Sequence, residues 1–234
     1  MMFEVTGGKG RVAVRTLREA PPTINAEALP SDERRSAAHL MMILGTLPYY
    51  EADFRHALAL YDHSERESPT VPHPWKFVAG RDGAMSIFNF GKAVEGIMAS
   101  VGTMPTLFGM VDRDPLRKAR QLMRDMFPRF EAVRHSIAHA AELIGDPDKI
   151  DQEGISGAPY TFGSLTINPG QSVVIIRSSF VGPRLFANSF EGALQAYELS
   201  QKTANGLWEV KQTIYAAFKN AEAQTRQGSP APNP

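Results

Sequence analysis

From Ser31 onward the apolar residues recur every three or four positions, and after Gly154 they recur every second one; the chain therefore divides into a helical part and a strand part. Ala37, Leu40, Met41 and Leu44 define a helix that Ser31 or Asp32 can cap and that Gly45 and Pro48 are expected to break. A second helix over about 49–63 presents Phe54, Leu58 and Tyr61 on one side, and the proline-bearing stretch 64–74 reads as a loop. Trp75, Val78, Met85, Phe88, Val94, Ile97, Met98 and Val101 then keep to one helical face for about seven turns. This should be the longest packing element, ending near Gly102, with Pro105 opposing its continuation. Asp114-Pro115 predicts a capped helix running to about Phe127. Pro128 restarts the chain as a helix whose apolar face is Phe130, Val133, Ile137, Ala141 and Ile144, closed by Gly145-Asp146-Pro147.

The two-residue period predicts a hairpin of 160–167 and 172–180 about the turn Asn168-Pro169-Gly170-Gln171, where Pro then Gly at the central positions suits a type II turn. Gly182-Pro183 is a second turn, and 184–190 and 193–198 form another strand pair about Glu191-Gly192. Ser200 caps a last helix carrying Ala204, Leu207, Trp208, Ile214, Tyr215 and Phe218. The expected fold is mainly α: a bundle of five to six helices with a small antiparallel β-meander inserted before the last helix. In order this gives an N-terminal arm (1–31) marked by Pro21-Pro22 and Pro30, a helical core (32–150), the meander (155–199), a docking helix (200–223) and a disordered Ser, Pro and Asn tail (224–234).

Composition narrows the chemistry. With 234 residues, 43% of them hydrophobic, the chain can bury one sizeable core. Lys plus Arg equals Asp plus Glu at 25 each, so the summed field pulls toward neither nucleic acid nor an anionic membrane, and any polyanion site must come from local clustering. The absence of cysteine excludes disulfides, thiol nucleophiles and thiolate metal sites, and fits a reducing cytoplasm. The first eighteen residues lack the apolar core of a secretory signal, and 37–50, interrupted by His39, Gly45 and Pro48, is too short to span a bilayer. The expectation is a soluble cytoplasmic protein with no membrane partner. Gly7-Gly8-Lys9-Gly10 lacks the spacing of a phosphate loop.

Acid–base chemistry concentrates on the helix of 130–144. Turning about 100° per residue from Phe130 puts Arg134 at the rim of the apolar stripe and His135, His139 and Glu142 together on the opposite side. RNA scission by internal attack needs a proton carrier and a cation to hold the crowded phosphorane, and a histidine with an arginine supplies both without a metal. Arg134-His135-Ser136-Ile137-Ala138-His139 resembles the signature of HEPN domains, in which an Arg, a polar residue, three variable residues and a His recur. The resemblance implies a helical, dimeric, metal-independent ribonuclease or RNA-binding protein of a toxin or defence system, with an antitoxin or other protein partner. It assigns His139 as general acid–base, Arg134 as phosphate clamp and His135 as helper, in a cleft shared with a second subunit. Arg34-Arg35-Ser36-Ala37-Ala38-His39 is a second copy of the same spacing, at a helix start.

Other readings of these residues stand beside it. Arg134 can pair with Glu131 or Asp82 on an interaction scaffold with no catalysis. His135 and His139, with Glu142 or Glu131, can reach one metal ion. Arg113, Arg117, Arg120 and Arg124 form a stripe able to track a phosphate backbone, or a solvated face. Arg81-Asp82 breaks the long apolar helix as a surface pair or a buried one, and the resemblance makes these two, with Glu142, accessory candidates. No bound cofactor is expected.

Overall fold

The structure, a computed structural model, describes residues 20–67, 74–138, 152–162 and 165–227. It is mainly helical, with α1 (Arg34–Glu67), α2 (Pro74–Gly102), α3 (Pro105–Met110), α4 (Arg113–Met126) and α5 (Phe130–Ala138) before the strands, and α6 (Gln201–Ala217) and α7 (Lys219–Gln227) after them. The strands are β1 (Ile155–Gly157), β2 (Tyr160–Phe162), β3 (Leu165–Ile167), β4 (Gly170–Val174), β5 (Ser179–Phe180), β6 (Leu185–Phe190) and β7 (Ala193–Glu198). No helix among the described residues is long and apolar enough to cross a membrane.

The largest departure from the sequence reading is α1. Gly45 and Pro48 were expected to separate two helices, yet one helix runs through both. Pro48 cannot donate to the carbonyl of Leu44, which would leave an orphan acceptor. That carbonyl instead accepts the Tyr215 hydroxyl of α6, at 3.1 Å. A residue 171 positions away thus mends the ladder, a correction the local pattern could not contain.

α2 is the central element, packed along α1 and touching α5 and β5. Its small residues set how closely the strands approach. A Cβ on Gly80 would collide with the Phe186 ring, and one on Gly83 would strike the Tyr197 hydroxyl. The Tyr197 O–H donates to the Gly80 carbonyl. Phe186, Tyr197 and Leu199 consequently belong to the same apolar core as Leu40, Phe54, Ile87, Phe90, Leu207 and Phe218.

β5, β6 and β7 form one antiparallel sheet in that order, with Phe186 opposite Tyr197 and Asn188 opposite Gln195. Its hairpin turn, Glu191-Gly192, has φ of 50° and 70°, the left-handed pair that matches strand twist. The other face carries a smaller cluster of Ile155, Ala187 and Leu194. Two sequence expectations shift here. The run 160–167 is itself a short hairpin (β2 with β3), and β4 pairs with β1. The following turn moves one residue along: Ser172 N–H donates to Pro169 O at 3.0 Å, with Gly170 at φ 62° in the first central place.

At the ends of helices, side chains decide the details. Pro105 opens α3 at its first position where it was expected only to stop α2. Glu33 accepts from the N–H groups of Thr106 (2.8 Å) and Leu107 (3.1 Å) at that helix start. α4 begins one residue before the predicted cap, with Asp112 accepting from Asp114 N–H at 3.1 Å. Ser200 caps α6 as predicted, accepting from Thr203 N–H. α7 extends through Gln227, so 224–227 are helical where a tail was expected. Residues 20–31 lie along α7 and α1: Thr23 N–H donates to Glu222, Asn25 N–H to Thr225, and Ile24 and Leu29 are buried.

Candidate functional site

α5 is held against α2 by packing and charge. Phe130 sits over Gly91, where a Cβ would lie 2.6 Å from the ring, and Val133 is buried in the core. Glu131 does not pair with Arg134: it takes Lys92, at 2.5 Å, and Lys92 also meets Glu95 at 2.8 Å. Hydrogen bonds that Lys92 donates to Glu131 and then Glu95 hold its ammonium well above the usual lysine range. Arg134 instead lays its guanidinium over the Phe88 ring of α2, 5.4 Å from the centroid. Its Nε is buried with no hydrogen-bond partner, and it makes no ion pair among the described residues.

His135 turns elsewhere. It is exposed, with its ring edge-on to Phe190 of β6 at 6.5 Å. Ser136, the next residue, is buried, with its Oγ donating to Val133 O of its own helix at 2.7 Å. His139 and Glu142, the remaining residues of the predicted cluster, lie outside the described residues. Within the described part, Arg134 addresses α2 and His135 addresses the β6 end. No three His, Asp or Glu side chains among the described residues are grouped to hold a metal ion.

The second copy of the motif is structural on its arginine side. Arg34 pairs with Glu27 at 2.7 Å and donates to the carbonyls of Leu29 and Glu27. Its guanidinium is thereby consumed in fixing the short 3-10 turn Ala26–Ala28 against the start of α1. Arg81 and Asp82 are both exposed: Arg81 Nε donates to its own helix at Phe77 O, 3.3 Å, so the pair is the surface break of the two readings. Asp82 still acts at a distance. Burial first, and the Asp82 charge second, push the Tyr197 hydroxyl well above its ordinary range.

α4 carries the clearest surface chemistry. Leu116, Ala119 and Met123 are buried against α6, and Arg113, Arg117, Arg120 and Arg124 are all exposed on the other side. Arg117 pairs with Asp114 at 3.0 Å, both highly exposed, an arrangement worth little in water. Where α3 meets α4 there is an open depression of about 390 Å³ lined by Phe108, Val111, Arg113, Asp114 and Arg117. Phe108 is 39% exposed, and the Arg113 guanidinium lies 5.1 Å from its ring centroid. The depression thus combines an aromatic ring with two arginines and two carboxylates, Asp112 and Asp114, and Arg134 is not part of it.

Sequence reasoning missed two buried polar groups. Glu51 of α1, Arg55 one turn on, and Lys211 of α6 form a nearly dry charge cluster: Arg55 bonds Glu51 at 2.9 Å and Lys211 closes on the other carboxylate oxygen. Lys211 shares a helical face with Leu207, Val210 and Ile214, and a charge on that apolar face was the available signal. The second group is the Asn188–Gln195 rung of the β6–β7 hairpin, both residues buried.

Comparison of the chain with family models, with curated proteins and with solved structures found no match.

Proposed function

We propose that the protein binds single-stranded RNA on the outer face of α4, with the Phe108 depression as the place where a base stacks. The observation that carries this is the pairing of an exposed aromatic ring with four exposed arginines at helical spacing. Non-specific single-strand binders combine those two elements, a ring for the base and cations for the backbone. Arginine suits the task because its planar donor fork matches a phosphate. The neutral total charge means that affinity rests on this local face.

The test is fluorescence anisotropy of a labelled twelve-nucleotide single-stranded RNA with the full chain, Phe108→Ala and Arg113→Ala. The reading expects Phe108→Ala to weaken binding roughly 5- to 160-fold, in line with about 1–3 kcal/mol per stacked base, and Arg113→Ala to weaken it as well. Equal affinities in all three proteins would refute it.

RNA scission by a HEPN-like Arg134 and His139 pair is the second reading. What favours it is that Arg134, unlike Lys92 beside it, is not neutralised by a carboxylate among the described residues. It expects cleavage that persists in EDTA and disappears in His139→Ala. As a third element we propose self-association through α1, where Met42 and Tyr49, two turns apart, are 61% and 63% exposed. Light scattering should then report a dimer that Met42→Asp with Tyr49→Asp converts to a monomer.

A further inference from the structure

The Phe108 depression holds more than a ring and cations. Two carboxylates, Asp112 and Asp114, share its wall with Arg113 and Arg117. A phosphate is repelled by carboxylates, whereas a base edge that carries N–H groups finds acceptors in them. Asp114 is already engaged, its Oδ1 receiving Arg117 Nη1 at 3.0 Å. Asp112 is held in a fixed orientation with an oxygen to spare: Oδ1 accepts Asp114 N–H at 3.1 Å as the cap of α4, and Oδ2 has no partner among the described residues.

The backbone that carries Asp112 is pinned. Its N–H donates to Ala217 O of α6 at 3.0 Å, Val111 N–H donates to Leu107 O at 3.1 Å, and Asn220 Nδ2 of α7 donates to Met110 O at 3.0 Å. The carboxylate therefore keeps its place four residues after the aromatic ring. Gly109 lies between them in sequence and also lines the depression. A Cβ there would meet nothing within 4 Å, and its φ is not positive, so neither packing nor backbone requires glycine at this helical position. Glycine is a poorer helix former than alanine, and the effect of its missing side chain is to keep the depression open. The resulting volume of about 390 Å³ falls within the roughly 300–1,000 Å³ of small-ligand sites.

Of the four RNA bases, guanine alone presents two adjacent donors on its pairing edge, N1–H and the N2 amine, which match the two oxygens of one carboxylate. Its neighbouring edge presents two acceptors, O6 and N7, which arginine reads. Uracil offers one N–H between two carbonyls, and cytosine and adenine offer one amine beside an acceptor nitrogen, so each sets a lone pair against the carboxylate. The Arg113 guanidinium over the Phe108 ring, 5.1 Å from its centroid, supplies the stacking layer. We propose that the depression selects guanine, with Asp112 receiving N1–H and the N2 amine and Arg117 meeting O6 and N7. This rests on the RNA-binding reading above and adds to it the base that the site takes.

The experiment is fluorescence anisotropy of the full chain with labelled dodecamers of uridine in which one central position is uridine, guanosine, adenosine, cytidine, inosine or 7-deazaguanosine. The guanosine oligomer should bind roughly 5- to 160-fold more tightly than the all-uridine one. It should also bind more tightly than the inosine oligomer, which lacks only the N2 amine, and the 7-deazaguanosine oligomer, which lacks only the N7 acceptor. Asp112→Asn should bring the guanosine-to-uridine ratio close to one. Asparagine caps a helix about as well as aspartate, so this substitution exchanges an acceptor for a donor without undoing the start of α4. Gly109→Leu, which leaves both carboxylates in place and fills the depression, should also bring the ratio close to one, with a Tm no lower than the parent's. The ratio is the readout because loss of a negative charge raises the affinity for every oligomer. Equal affinities of the parent for all six oligomers would overturn guanine selection and leave the RNA reading standing. A preference for adenosine or cytidine, or a guanosine preference that persists in both variants, would likewise overturn it. No binding of any oligomer by the parent would remove the RNA reading and guanine selection together.

Discussion

Glu33 shows how one buried carboxylate organises a junction. Burial pushes its carboxyl upward, but the N–H groups of Thr106 and Leu107, with the Thr106 hydroxyl, more than offset this and hold it below the usual carboxylate range. A lowered folded-state value means stabilisation present above the unfolded-state value of about 4.3 and lost as pH falls through the folded one. Glu33→Gln should cost about 1–3 kcal/mol at pH 7 in urea unfolding, and the difference from the parent should shrink below about pH 4. A difference independent of pH would refute this assignment. The Glu51–Arg55–Lys211 cluster makes an opposite kind of demand. Lys211→Met leaves Glu51 enclosed with only Arg55 and should cost about 3–5 kcal/mol, whereas Lys211→Met with Glu51→Leu should recover much of that loss. The chain betrays both sites only as charges at apolar positions, and apart from Arg55, one turn from Glu51, nothing local names their partners, which lie 73 to 160 residues away.

Among the elements, α1 depends most on distant help. Tyr215→Phe removes the hydroxyl that satisfies the Leu44 carbonyl beside Pro48, and should cost about 1–3 kcal/mol, with amide exchange accelerated first around residues 44–52. Unchanged stability would show that Pro48 is accommodated in some other way. Gly80→Ala should be worse than its helix propensity suggests, by about 1–3 kcal/mol, because the methyl group enters the space of Phe186. Period and caps were enough to read the extent of α2, the inward face of α4, the β6–β7 hairpin and the Ser200 cap from the chain alone, but the first half of α2 packs through Gly80, Gly83 and Ile87 and leaves Trp75 exposed, and α1 is the longer helix. They failed where tertiary contact overrides a local breaker, at Pro48, and where strands of three residues are too short to show a period, in β1 to β3. At the candidate site, the exposure of the arginine stripe followed from helical geometry. The contact of Arg134 with Phe88 did not, since i-to-i+4 reasoning sees only the residue's own helix.

For the whole molecule, the sheet is not an appendage: Phe186, Tyr197 and Leu199 share the helical core, while Arg184 ties to Asp62 at 2.7 Å and lies over Tyr61. Helices and sheet should therefore melt in one transition, with far-UV circular dichroism and aromatic fluorescence reporting the same midpoint. That rigid body presents α4 outward on a chain whose charge balances only overall, so attraction for a polyanion is local and short in range. The salt dependence of RNA affinity tests this most directly. If α4 tracks the phosphates, log K for single-stranded RNA falls linearly with log salt in the parent protein, and Arg120→Ala with Arg124→Ala lowers the steepness by about 1.4, roughly 0.7 for each lost contact. Identical slopes in the two proteins would contradict the account.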